Sequence, residues 1–85
     1  MFFVEFSSQS KRFLKRLDKT TAKRIIEKIK ALAVDPFPYE VKRIVNRKEK
    51  VFRIKVGSYR ILYLVVYEKN LIFISDIDKR GRVYK

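Results

Sequence analysis

Cysteine, histidine and tryptophan are all absent from this 85-residue chain. Without cysteine there is no disulfide framework, no thiol nucleophile and no thiolate metal site. Without histidine as well, a metal would have to be held by carboxylates. The nine Asp and Glu are scattered among 22 Lys and Arg, a poor cage for magnesium or calcium. The expectation is therefore no metal and no other cofactor, which leaves metal-free chemistry or simple binding. Glycine and proline number two each, so turns are few and can be located one by one. Long hydrophobic runs are missing too. The longest uncharged apolar stretch, residues 61–67, is far short of the roughly 20 residues of a membrane span. No signal-peptide pattern precedes it, so no membrane association is expected and the chain is placed in the cytoplasm.

What is present is apolar surface and positive charge. Hydrophobic residues make up 47% and aromatics 14%, enough to offset the conformational entropy of ordering a chain of this length. The length fits one hydrophobic core, so residues 1–85 are read as a single domain. The formal charge is +13, well beyond the roughly 2 to 8 that solubility asks of a small domain. A polyanion is the natural partner, because neutralising phosphates releases condensed counterions. Nucleic acid fits best, ahead of an acidic membrane surface or an acidic protein.

Phe2, Val4 and Phe6 alternate with Phe3 and Glu5, predicting a short opening strand. Ser7 or Ser8 can cap a first helix whose apolar stripe is Phe13, Leu14 and Leu17, set among Lys11, Arg12, Lys15 and Arg16. After Asp18, with Thr20 and Thr21 as candidate caps, Ala22, Ile25, Ile26, Ile29, Leu32 and Ala33 recur at helical spacing. That second helix must stop before Pro36, which pushes Asp35 out of the helical region. Residues 37–50 read as a charged connection with at most one short edge strand. From Val51 the period becomes two, giving a strand, a Gly57-Ser58 turn of type II′, a central strand from Tyr59, a turn at Glu68-Lys69-Asn70, and a last strand from Leu71 to Asp78. The fold class is α+β: an N-terminal strand, a helical hairpin, then an antiparallel meander in one sheet with the helices packed on one face.

The two-residue turn fixes register, so Val56 faces Tyr59, Ile54 faces Ile61 and Phe52 faces Tyr63 on the apolar side. On the other side Lys55 stands across from Arg60, and Arg53 from Leu62. Two cations opposed across a ladder repel and destabilise a sheet unless an anion neutralises them. A phosphate fits there. With Asn70 left-handed in a three-residue loop, Tyr67 pairs with Leu71. Ile61, Tyr63 and Val65 then meet Ile77, Ser75 and Phe73 on the apolar side, and Arg60 and Leu62 meet Asp78 and Asp76. Arg80 emerges beside Arg60 if the strand continues, and Tyr84 is close enough to fold over. This register leaves Leu64, Val66, Ile72 and Ile74 on the open face beyond the charges. Such a strip is either a docking surface or is buried beneath residues 37–47.

A site of this kind suits cleavage of RNA by its own 2′-hydroxyl. That oxygen must lose a proton, the phosphorane needs its added charge stabilised, and the 5′-oxygen must gain a proton as it leaves. Arginines can stabilise the charge. A lysine among cations has a lowered pKa and becomes a candidate base, which singles out Lys55. Tyr84 either stacks on an exposed base or packs at the C-terminus.

The segment VFRIKVGSYRILYLVVY, residues 51–67, resembles the signature of the RelE/ParE toxin superfamily, RelE-like branch, and DKRGRVY at residues 78–84 is similar to its terminal motif. The order of elements matches along essentially the whole chain. The resemblance implies the toxin of a type II toxin–antitoxin system, a ribosome-dependent messenger RNA endoribonuclease that inhibits translation. It implies catalytic roles for Lys55 in proton transfer, Arg60 in charge stabilisation, Arg80 on the phosphate and Tyr84 on the base. Arg53 stands at a strand position that is often lysine, and with Lys42, Arg43 and Arg82 is assigned to substrate binding. A guanidinium cannot readily exchange a proton, so proton transfer falls on Lys55. The implied partners are messenger RNA, the ribosome and a RelB-like antitoxin in a hetero-oligomer, with Leu64, Val66, Ile72 and Ile74 as its docking residues. The alternatives are a ParE-like inhibitor of DNA gyrase and a catalytically silent basic RNA-binding module.

Overall fold

The structure, a computed structural model, describes residues 1–44 and 48–79. Within them the order is β1 (Phe3–Phe6), α1 (Ser8–Arg16), α2 (Lys19–Val34), β2 (Lys42–Ile44), β3 (Val51–Val56), β4 (Tyr59–Val66), a 3-10 turn (Tyr67–Lys69) and β5 (Leu71–Lys79). The strands form one sheet in the order β1-β5-β4-β3-β2. β2 to β5 run antiparallel as a meander, and β1 returns to the far edge to pair parallel with β5. The α+β architecture expected from the sequence is what forms. No described helix is long and apolar enough to cross a membrane.

Each helix starts on a side-chain cap. Ser7 accepts from the Ser10 amide at 3.1 Å, and Asp18 accepts from the Thr21 amide at 3.0 Å. The second cap is thus Asp18 rather than Thr20 or Thr21. A carboxylate both satisfies the unpaired N–H groups and opposes the positive end of the helix dipole, and hydrogen bonding from the Thr21 side chain, then from its amide, lowers the Asp18 pKa. α2 ends at Val34, ahead of Pro36. Its stripe of Ile25, Ile29 and Leu32 closes on Ile54, Ile61, Tyr63, Ile72, Ile74 and Ile77, each at most 2% exposed. Every such aliphatic side chain withdrawn from water contributes roughly 1.5–3 kcal/mol.

The β3–β4 hairpin has the expected register throughout: Phe52↔Tyr63, Arg53↔Leu62, Ile54↔Ile61, Lys55↔Arg60 and Val56↔Tyr59. Gly57 takes φ 59, as the first position of a type II′ turn requires. Asn70 is left-handed, φ 52 and ψ 47, also as expected. The β4–β5 hairpin departs from expectation halfway along. Arg60↔Asp78, Ile61↔Ile77 and Leu62↔Asp76 hold, but a bulge between Leu62 and Tyr63 shifts the rest to Tyr63↔Ile74, Leu64↔Phe73, Val65↔Ile72 and Val66↔Leu71. One extra residue on β5 turns everything before it to the opposite face. Ile72 and Ile74 are therefore core residues at 0% exposure, not part of an open-face strip. Leu71 and Phe73 take their places beside Val66 and Leu64.

The bulge is pinned from outside the hairpin. β1 pairs with β5 only as far as Phe6↔Ile74, and beyond that the first turn of α1 completes the edge with side chains. The Ser7 hydroxyl donates to the Ser75 carbonyl at 2.7 Å, and the buried Ser10 hydroxyl donates to the Ile74 carbonyl at 3.1 Å. Gln9 engages Ile77 twice, donating from Nε2 to its carbonyl at 2.9 Å and accepting from its amide at 3.1 Å. From the other side the Ser75 hydroxyl donates to the Leu62 carbonyl at 3.2 Å. These bonds satisfy backbone groups that no strand reaches, as buried polar groups require.

Candidate nucleic-acid site

Two rows of charge cross the sheet on the face away from the helices. Lys42 pairs with Arg53, Arg53 with Leu62 and Leu62 with Asp76. One step along, Lys55 pairs with Arg60 and Arg60 with Asp78. Each row begins in cations on the β2–β3 side and ends in a carboxylate on β5. Lys42 against Arg53 is a second directly opposed cation pair, which concentrates positive potential on strands β2 and β3.

The members of these rows differ in access. Lys55 and Lys42 are exposed and Arg53 is half-buried, whereas Arg60 keeps only 2% of its surface. Leu62, two residues along β4, and Val51, farther along the same face of β3, are also buried, at 4% and 2%, so the centre of this face is not the open surface that strand alternation implies. A guanidinium stays ionised at any ordinary pH, so Arg60 holds a permanent charge in a water-poor setting. Of the opposed pair Lys55 and Arg60, Lys55 is the member a ligand reaches from solvent.

Lys55 also joins two grooves. One, of about 470 Å³, is lined by Tyr39, Glu40, Lys42, Arg53 and Lys55. The other, of about 620 Å³, runs between α2 and the β3–β4 turn and includes Lys23, Arg24, Lys28, Lys55 and Gly57. In it the Arg24 guanidinium lies over the turn, 3.1 Å from where a Cβ on Gly57 would stand. A groove lined by several cations and one aromatic, as the first is, suits a phosphate backbone with exposed bases.

Of the residues expected at the site, Lys42, Arg53, Lys55 and Arg60 are brought together. Arg43 is not: it pairs with Phe52, so alternation along β2 points it to the opposite side from Lys42. Arg80, Arg82 and Tyr84 lie outside the described residues. Leu64 and Val66 are half-buried on the face carrying the charge rows, while Ile72 and Ile74 are in the core. The sequence reading missed Lys23, Arg24, Lys28 and Tyr39. Arg24 and Lys28 are one helical turn apart, and with Lys23 they fall on the side left by the apolar stripe, a readable signal. Nothing local to Tyr39 marks it.

A family model described as ParE toxin of type II toxin–antitoxin system, parDE, matches residues 4–84. This chain belongs to the RelE/ParE toxin family. A Methanocaldococcus jannaschii protein named as toxin RelE1 is 31% identical over 87 residues, covering 99% of this chain and 96% of its own. The toxin fold is that of the archaeal RelE–RelB complex from Pyrococcus horikoshii, with TM-score 0.82, 27% identity and coverage of 95% of this chain and 97% of that one. The fold is shared equally with the Escherichia coli RelBE toxin–antitoxin complex, TM-score 0.80 at 21% identity, covering 96% of this chain and 100% of that one.

Proposed function

We propose that this toxin is an endoribonuclease that cuts messenger RNA on the ribosome and so stops translation. The observation that carries the reading is the direct opposition of exposed Lys55 to buried Arg60 at the end of the β3–β4 hairpin. Lys55 serves the proton transfers. The substrate's 2′-oxygen, once deprotonated, attacks the adjacent phosphorus, the bond to the 5′-oxygen breaks, and that oxygen takes up a proton. Arg60 stabilises the charge that builds on the phosphorane from a fixed, water-poor position. Arg53 and Lys42 hold neighbouring phosphates. Arg80, Arg82 and Tyr84 complete the site from the C-terminal segment, as the resemblance implies. No step calls on a metal. A RelB-like antitoxin is the partner in the cytoplasm, and the apolar positions Leu64, Val66, Leu71 and Phe73 offer it a surface. Residues 1–85 act as one domain.

Primer extension on message in a translation reaction tests this. The wild type is expected to produce new ends phased with codons, and Lys55→Ala to produce far fewer of them. Arg60→Ala is less informative because Arg60 is buried and its loss disturbs packing as well as chemistry. Absence of phased ends with the wild type contradicts the reading. The ParE family match favours gyrase inhibition as the second reading, and a supercoiling assay under the same conditions would then show inhibition.

A further inference from the structure

Tyr39 is the most exposed aromatic among the described residues, with 103% of its reference surface accessible. A single exposed aromatic is ordinary on a protein surface, and what sets Tyr39 apart is the segment that carries it and the groove beside it. Its backbone is far from loose. The segment that carries it begins with the Asp35 side chain accepting from the Phe37 amide at 3.2 Å. The buried Tyr63 hydroxyl then donates to the Pro36 carbonyl. The Phe37 ring packs edge-on against Phe52 at 4.9 Å between centroids. The Val41 amide bonds the Pro38 carbonyl at 3.1 Å, which closes a turn around Tyr39. Next to it Glu40 is tied to α2 through Lys28 at 3.0 Å, and that hydrogen bond, more than the charge attraction, lowers the Glu40 pKa. The backbone therefore holds Tyr39 at a fixed place on the rim of the groove that Lys42, Arg53 and Lys55 line, with its ring projecting into solvent.

We propose that Tyr39 is a base-stacking platform, a positioning residue that holds one nucleobase of a single-stranded RNA whose phosphates lie along Lys42, Arg53 and Lys55. An exposed ring on a held backbone beside a cationic groove is an arrangement that binds single strands without reading sequence, since every base offers a π face. The held backbone matters because only the side-chain rotations of Tyr39 are left to be ordered when the base arrives. This inference rests on the nuclease reading for its substrate, and it assigns a residue that reading does not use.

The absence of native tryptophan provides the test. In the full chain, Tyr39→Trp is the sole indole. Its fluorescence is followed on titration with a 2′-O-methyl RNA hexamer and with the same hexamer carrying abasic positions. Stacking predicts strong quenching by the first and little by the second, although both bear the same phosphates. Tyr39→Leu is expected to weaken hexamer binding about tenfold and Tyr39→Phe to restore it, on the scale of one lost base–aromatic stack. In ribosome-dependent cleavage Tyr39→Leu should raise KM more than it lowers kcat. Equal quenching by both oligomers, no quenching by either, or wild-type binding by Tyr39→Leu would overturn the assignment. Codon-phased cleavage surviving beside any of those results would sink Tyr39 alone, whereas loss of cleavage in the wild type would sink the nuclease reading itself.

Discussion

The two hairpins that share β4 are built differently. The β3–β4 hairpin is regular from its glycine turn outward, and its ladder is decided by that turn and by side-chain alternation alone. The β4–β5 hairpin keeps one register from Lys79 to Asp76, then bulges, and its far half obeys contacts made by the first turn of α1. The charge rows sit entirely on the regular side. The isoleucines that seal the core lie on both sides of the bulge, with Ile77 before it and Ile72 and Ile74 beyond. Chemistry is therefore carried where the register is set locally, whereas the packing runs across both halves and in the far one depends on distant elements.

If that division is right, the largest effect on activity comes from the regular hairpin with little effect on the fold. Lys55→Ala should lower message cleavage by at least about 100-fold, the low end of what a general acid–base group contributes, while thermal unfolding stays near that of the wild type because the side chain is exposed.

The reverse holds beyond the bulge. Ile74→Ala removes a fully buried side chain and should cost about 2–5 kcal/mol. Phe73→Ala, half-buried on the other face, should cost less than half as much despite the larger side chain. Denaturant titration of both variants checks this, and the opposite ranking would restore the unbulged register.

The pins are smaller. Gln9→Ala deletes two hydrogen bonds to the Ile77 backbone and should cost about 1–3 kcal/mol. A hydrogen-exchange map would show the loss at Ile77 and its neighbours, with the β3–β4 hairpin left protected.

Smallest is Tyr63→Phe, which loses the bond to the Pro36 carbonyl, about 1 kcal/mol at neutral pH. Burial, with Asp35 and Glu40 adding to it, pushes the Tyr63 pKa well above its ordinary 10.0. The folded state thus keeps the proton that the unfolded chain gives up, so this group's contribution is whole below pH 10 and declines as pH rises above it. The wild type's advantage over Tyr63→Phe should shrink through that range, as pH-dependent unfolding would show.

The same division explains what the sequence could reveal. The strand–helix–helix–meander order, the Gly57-Ser58 turn, left-handed Asn70 and the Lys55–Arg60 opposition all follow from local rules, and each is present. The bulge could not be read because it answers to Ser7, Gln9 and Ser10, some 64 to 68 residues away in the chain, where a sequence shows only cap candidates. Placing Ile72 and Ile74 on the open face followed from carrying a turn's register past that point. Arg43 was grouped with Lys42 by adjacency, although neighbours on a strand face opposite ways. The depth of Arg60 was hidden for a related reason: alternation assigns a face, not an exposure. Tyr39 gave no signal because its rigidity comes from Tyr63, Phe52 and Lys28, none of them near it in sequence.

The central claim is that Lys55 and Arg60 act together on one phosphate. A double-mutant cycle in ribosome-dependent cleavage, with Lys55→Ala, Arg60→Lys and the pair, tests it most directly. Groups acting as a unit are strongly non-additive, so the double variant should be scarcely slower than the worse single one. Fold-losses that multiply in the double variant would show two independent contributions and contradict a shared phosphate.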